Sequence, residues 1–143
     1  MQSVDPYDED EIIENDRIIR RINPEQHIVT DLNRNCRRIS TKAFSPSSEP
    51  TYGMSVDIEK LILNAGLVPT EFVTTPTYTG SVSFAAQDIR NTDLIVGYEP
   101  IADNPYHGEV WAKENKQRFK NSQKKQLLRA AEWYVRIEDV ELG

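Results

Sequence analysis

A single α+β domain, built on a small mixed sheet flanked by helices and preceded by an acidic N-terminal tail, is the fold this sequence predicts. Three observations predict it. The chain has 143 residues, the usual size of one domain. Short β-branched runs and helical runs follow one another without the regular βα alternation of a parallel sheet. Charge is sorted along the chain although it sums to −6: fourteen of the seventeen Lys and Arg fall in residues 17–42 and 113–129, and seven carboxylates with no base occupy residues 1–16. Residues 1–16 are therefore expected as a flexible acidic tail and residues 17–143 as the domain.

In chain order, Ile12, Ile19 and Ile22 recur near helical spacing. Acids lie before them and Arg17, Arg20 and Arg21 follow, an order that suits the helix dipole and predicts a helix over 9–22. Asn23-Pro24 is expected to end it, because proline disfavours helical geometry in the residue before it. Arg38 to Phe44 has strand character, and Ser45 to Gly53 is a loop by composition. A helix is expected next, with Ser55 as N-cap, Ile58, Leu61, Ile62 and Ala65 on one face, and Gly66 as its stop. Residues 69–80, rich in threonine and interrupted by Pro69 and Pro76, read as an edge strand or structured loop. Residues 81–91 fit a helix through Val82, Ala85, Ala86 and Ile89, although Ser81 to Phe84 alternates like a strand; helix is the favoured reading. Asp93 to Glu99 and Gly108 to Ala112 are strand candidates separated by a turn at Ala102 to Tyr106. A long helix over 115–137 closes the chain, with Phe119, Leu127, Ala130, Ala131 and Tyr134 inward and its lysines outward.

The longest apolar runs fall far short of the roughly 20 residues a membrane span needs. The first residues lack the basic start and apolar stretch of a secretory signal. A cytoplasmic location is the expectation, with Cys36 a reduced thiol, since one cysteine builds neither an internal disulfide nor a multi-cysteine zinc site.

The densest polar segment runs from His27 to Ser45 and holds Arg34, Arg37, Arg38, Ser40 and Lys42. Guanidinium forks and hydroxyls bind phosphate and carboxylate well, so His27, Arg34, Arg37, Arg38, Ser40 and Lys42 are the candidate ligand-binding residues. The plainer reading is a solvated segment whose arginines pair with neighbouring carboxylates. A second constellation is Asn104-Pro105-Tyr106-His107-Gly108-Glu109, where His107 and Glu109 share a strand face and are the candidate catalytic acid/base pair. Against it stands a turn histidine hydrogen-bonded to backbone. The zinc-deaminase His-x-Glu pattern also requires Pro-Cys-x-x-Cys, which is missing. His27 and His107 show no metal-ligand spacing, and no metal or cofactor is assigned. No phosphate-binding loop, dinucleotide glycine pattern or nucleophile elbow occurs. The basic run 113–129 could face nucleic acid, a reading ranked below the others because the acidic remainder of the chain repels phosphates.

Arg20-Arg21-Ile22, His27, Arg38, Ser40, Ala43-Phe44, Met54-Ser55-Val56 and Asn104-Pro105-Tyr106-His107 together give a pattern that resembles a set of short bacterial proteins. The resemblance spans Arg20 to Val110 and implies that the His, Arg and Ser residues belong to one site. Three functions stay open: a binding or regulatory protein for an anionic, phosphate-bearing ligand or partner surface; a small enzyme acting on a nucleotide or similar phosphorylated substrate; or an accessory subunit that contacts protein partners through Trp111, Trp133 and Tyr134.

Overall fold

The computed structural model describes residues 5–46, 53–113 and 118–143. The chain is α+β. Its main sheet has six antiparallel strands in the order β6-β7-β4-β1-β5-β8, formed by β1 (Arg17–Ile22), β4 (Met54–Ile58), β5 (Gly80–Ala85), β6 (Leu94–Tyr98), β7 (His107–Ala112) and β8 (Glu132–Val135). A smaller sheet joins β2 (Ile28–Asp31), β3 (Cys36–Ile39) and β9 (Val140–Glu141), the last pair parallel. Between them run short helices α1 (Pro24–His27), α2 (Glu59–Asn64), α3 (Pro69–Phe72) and α4 (Ala86–Arg90), and the longer α5 (Asn121–Ala130).

The helix expected over 9–22 is instead the central strand β1. Its neighbours bury it on both faces, with Ile18 and Ile22 in the main core and Ile19 in a second cluster with Ile62 and Val73. A strand buried on two sides need not alternate, so its apolar spacing imitated a helix. Asn23-Pro24 begins a helix rather than ending one: the Asn23 side chain accepts the Glu25 N–H at 3.1 Å, and Pro24 fills a first-turn position that needs no donor.

The helix expected from Ser55 starts later. Met54–Ile58 is strand, with Met54, Val56 and Ile58 buried, and α2 follows it to Asn64, with Gly66 just beyond its cap at a φ of +79°. The favoured helix over 81–91 divides similarly into β5 and α4. Residues 69–80 contain the helix α3 rather than an edge strand. The strand expected over 38–44 ends at Ile39, and Thr41–Phe44 is a 3₁₀ turn capped by the Ser40 hydroxyl. Of the long C-terminal helix only α5 is helical among the described residues; Glu132–Val135 leaves it to pair with β5. The loop over 45–53 and the start of that helix fall largely outside the described residues.

The acidic segment expected as a tail lies along the domain through residues 5–16. Tyr7 exchanges hydrogen bonds with the Tyr98 backbone at 2.9 and 2.8 Å, Asp8 pairs with Arg90 at 3.1 Å, and Ile12 is buried. Gly97 makes this contact possible, since a Cβ there would fall 2.9 Å from the Tyr7 ring.

Candidate functional site

The central strands part in the middle of the sheet. β1 and β4 pair only at Ile18↔Ile58 and Ile19↔Asp57, while β1 continues along β5 to Ile22 and β4 continues along β7 to Met54. Backbone groups that lose a ladder partner need another. Arg20 supplies one: its Nη1 donates to the Ser55 carbonyl at 2.9 Å, and its Nε to the Ala43 carbonyl at 2.7 Å. Nη2 makes no hydrogen bond to a described residue.

A cleft of about 820 Å³ opens at this split. Its lining includes the basic residues Arg20, His27 and Lys42, the polar residues Asp57, Asn104 and His107, and the rings of Phe72 and Tyr78. Arg20 is buried, and desolvation pulls its pKa down to about 10, against the opposing pull of Tyr78, Glu109 and Asp57. It stays protonated at neutral pH. His27 is also buried, and burial followed by the Arg20 charge holds its pKa down to about 4. Its Nδ1 accepts the Asn23 N–H at 2.9 Å, so the neutral ring carries its proton on Nε2.

Arg21 grips Asp57 with two parallel bonds of 2.8 and 3.1 Å, the bidentate geometry of a guanidinium and a carboxylate. Asp57 also accepts Asn104 Nδ2 at 2.7 Å, and Asn104 Oδ1 accepts the Tyr106 N–H at 3.0 Å. The Asn104-Pro105-Tyr106-His107 turn is thereby tied to β4. It delivers His107 with Nδ1 2.7 Å from the Glu99 carbonyl oxygen.

The sequence candidates divide. His27, Lys42 and His107 line one cleft, and Glu109 is close enough for its charge to act on Arg20. Arg34, Arg37 and Arg38 lie away from that cleft on the small sheet and the turn before it. Arg34 pairs with Glu141 at 3.0 Å and Arg38 with Asp31 at 3.0 Å, and Arg37 is exposed. Arg38 and two backbone N–H groups hold the Asp31 carboxyl below its usual range, the backbone of Arg34 contributing most. Ser40 is buried and its hydroxyl accepts the Lys42 N–H at 3.1 Å, which makes it a cap. The candidate ligand-binding set left out Arg20, Arg21 and Asp57, although Arg20 and Arg21 stand in the pattern that resembles short bacterial proteins. The available signal was two adjacent arginines inside an otherwise apolar Ile-Ile-Arg-Arg-Ile run, where burial demands partners.

Trp111 is fully buried, so it is no surface residue for a partner, contrary to the interface expectation. Among the described residues no helix is long and apolar enough to cross a membrane. No protein-family model matches the chain, and neither a curated protein nor a solved structure is significantly similar to it.

Proposed function

We propose that this chain is a cytoplasmic binding protein whose cleft between β1 and β4 receives a small phosphate-bearing anion, with Arg20, His27 and Lys42 as donors. Arg20 carries the reading. A protonated guanidinium buried at the cleft, with two of its nitrogens fixed on carbonyls and Nη2 bonded to no described residue, is oriented before any ligand arrives. Preorganised charge of this kind binds an anion without the cost of ordering a long side chain. Neutral His27 adds a donor, and exposed Lys42 adds charge at the rim. The free thiol of Cys36 suits a reducing compartment. Calorimetric titration with nucleotides, pyrophosphate and inorganic phosphate tests the reading: micromolar binding is expected in the wild type, with at least a tenfold loss in Arg20→Lys. Equal affinity in both proteins would sink it.

One observation favours an enzymatic reading of the same cleft. His107 lines the same cleft as Arg20, His27 and Lys42, and an Nδ1–H donated to the Glu99 carbonyl leaves the Nε2 lone pair to take a proton. His107→Asn separates the two readings, since a binder keeps its affinity and an enzyme keeps affinity but loses turnover.

A further inference from the structure

Glu99, His107 and Glu109 are brought together beside the cleft; the sequence places His107 and Glu109 on one strand face, and the fold adds Glu99 to them. His107 and Glu109 project from the same face of β7, and Glu99 follows β6, the strand paired with β7. All three are buried, Glu99 at 6%, His107 at 8% and Glu109 at 2% exposure. A ring nitrogen of His107 and one carboxylate oxygen from each glutamate all lie within 4.8 Å of one another.

We propose that these three residues form a site for one divalent first-row cation of the Mn²⁺ or Zn²⁺ kind. Two carboxylates and an imidazole are a mixed oxygen and nitrogen donor set of the sort such ions take. Holding two carboxylates this close in the interior is expensive without positive charge between them. Arg20 brings one such charge toward Glu109; a divalent ion adds both the charge and a reason for the three donor atoms to converge. The 2.7 Å contact from His107 Nδ1 to the Glu99 carbonyl is the outer contact that metal-bound histidines make, and it leaves Nε2 as the ligand atom.

An independent feature marks the same corner. Trp111, two residues beyond Glu109 on the same strand face, is fully buried, and its Nε1–H has no hydrogen-bond partner among the described residues. That nitrogen and Glu109 Oε2 both face Gly53, standing 2.8 and 3.0 Å from where a Cβ on that residue would be. The missing side chain keeps room beside the carboxylate, and a water or hydroxide completing the coordination of the ion gives the indole N–H an acceptor. His107 lines the cleft, which provides the way in. Under this assignment His107 Nε2 is a ligand rather than a free base, and the assignment does not depend on what the basic residues of the cleft bind.

The test titrates chelator-stripped protein with Mn²⁺, following the free-ion electron paramagnetic resonance signal, and with Zn²⁺ by calorimetry. One ion per chain is expected, at least tenfold weaker in Glu109→Gln and in Glu99→Asp, with Arg38→Ala unchanged. Two variants are used because Glu99→Asp keeps the charge should Glu109→Gln fail to fold. No binding by the wild type at millimolar Mn²⁺ or Zn²⁺, or undiminished binding in the folded variants, would overturn the proposal.

Discussion

The Arg20 guanidinium donates to the carbonyl oxygen of Ser55 at 2.9 Å across the point where β1 and β4 separate. One side chain thus does the work of a backbone ladder and presents a positive charge to the cleft that the separation creates. Fold and site share a residue, and the first expectation follows from that sharing.

Arg20→Met should destabilise the protein by about 2 to 4 kcal/mol, because the Ala43 and Ser55 carbonyls both lose a buried donor and each such loss costs ~1–3 kcal/mol. Arg20→Lys should cost less stability, yet fail to reproduce the planar fork toward a ligand. Urea denaturation of the two variants separates these effects, and near wild-type midpoints in both would contradict the role given to the Arg20 bonds.

Asp57→Asn should destabilise by about 2 kcal/mol. Asp57 is buried and holds both Arg21 and Asn104, but the Arg21 side chain keeps 24% exposure, which reduces the penalty below the ~3–5 kcal/mol of a fully buried broken pair. A double-mutant cycle with Arg21→Gln measures the coupling; a value near zero would show that the pair is dispensable.

Acid should weaken the fold through His27. Its folded pKa of about 4 lies below the 6.5 of free histidine, so between those values the unfolded chain binds a proton that the folded chain refuses. The stability contribution is complete above about pH 6.5 and falls as pH drops toward 4, at up to ~1.4 kcal/mol per pH unit. His27→Gln should flatten the stability profile in that window relative to the wild type, a difference that removes the background from carboxylates. Parallel profiles for the two proteins would refute the assignment.

Much of the fold was legible in the residues and some of it was not, for identifiable reasons. The strands near 94–98 and 107–112, the stop at Gly66 and the inward residues Phe119, Leu127 and Ala131 followed from local pattern. The central strand did not, because Ile18, Ile19 and Ile22 are all buried and a strand covered on both faces loses its period of two. The split at Arg20 was invisible for a related cause: which carbonyls an arginine satisfies is decided by strands far apart in the chain. The turn Asn104-Pro105-Tyr106-His107 brings Asn104 and His107 to the cleft, and its turn chemistry is local enough to read from the residues. The arginine density of 34–38 pointed elsewhere, because density alone does not distinguish residues that pair with Asp31 and Glu141 from residues that face a cavity.

Arg38→Ala should change stability by no more than about 1 kcal/mol, since half-exposed ion pairs contribute little. Thermal unfolding in low and high salt checks this, and a loss several times larger would mean the small sheet depends on that pair.

The central claim is that anion recognition resides in the strand split and not in the arginine-rich hairpin. A thermal-shift screen of the wild type, Arg20→Lys and Arg38→Ala against nucleotides and other phosphate compounds tests it most directly, because a ligand at 100 times its Kd stabilises by about 2.7 kcal/mol. The account predicts a shift in the wild type, the same shift in Arg38→Ala, and its loss in Arg20→Lys. A shift lost in Arg38→Ala and kept in Arg20→Lys, or no shift with any compound, would contradict it.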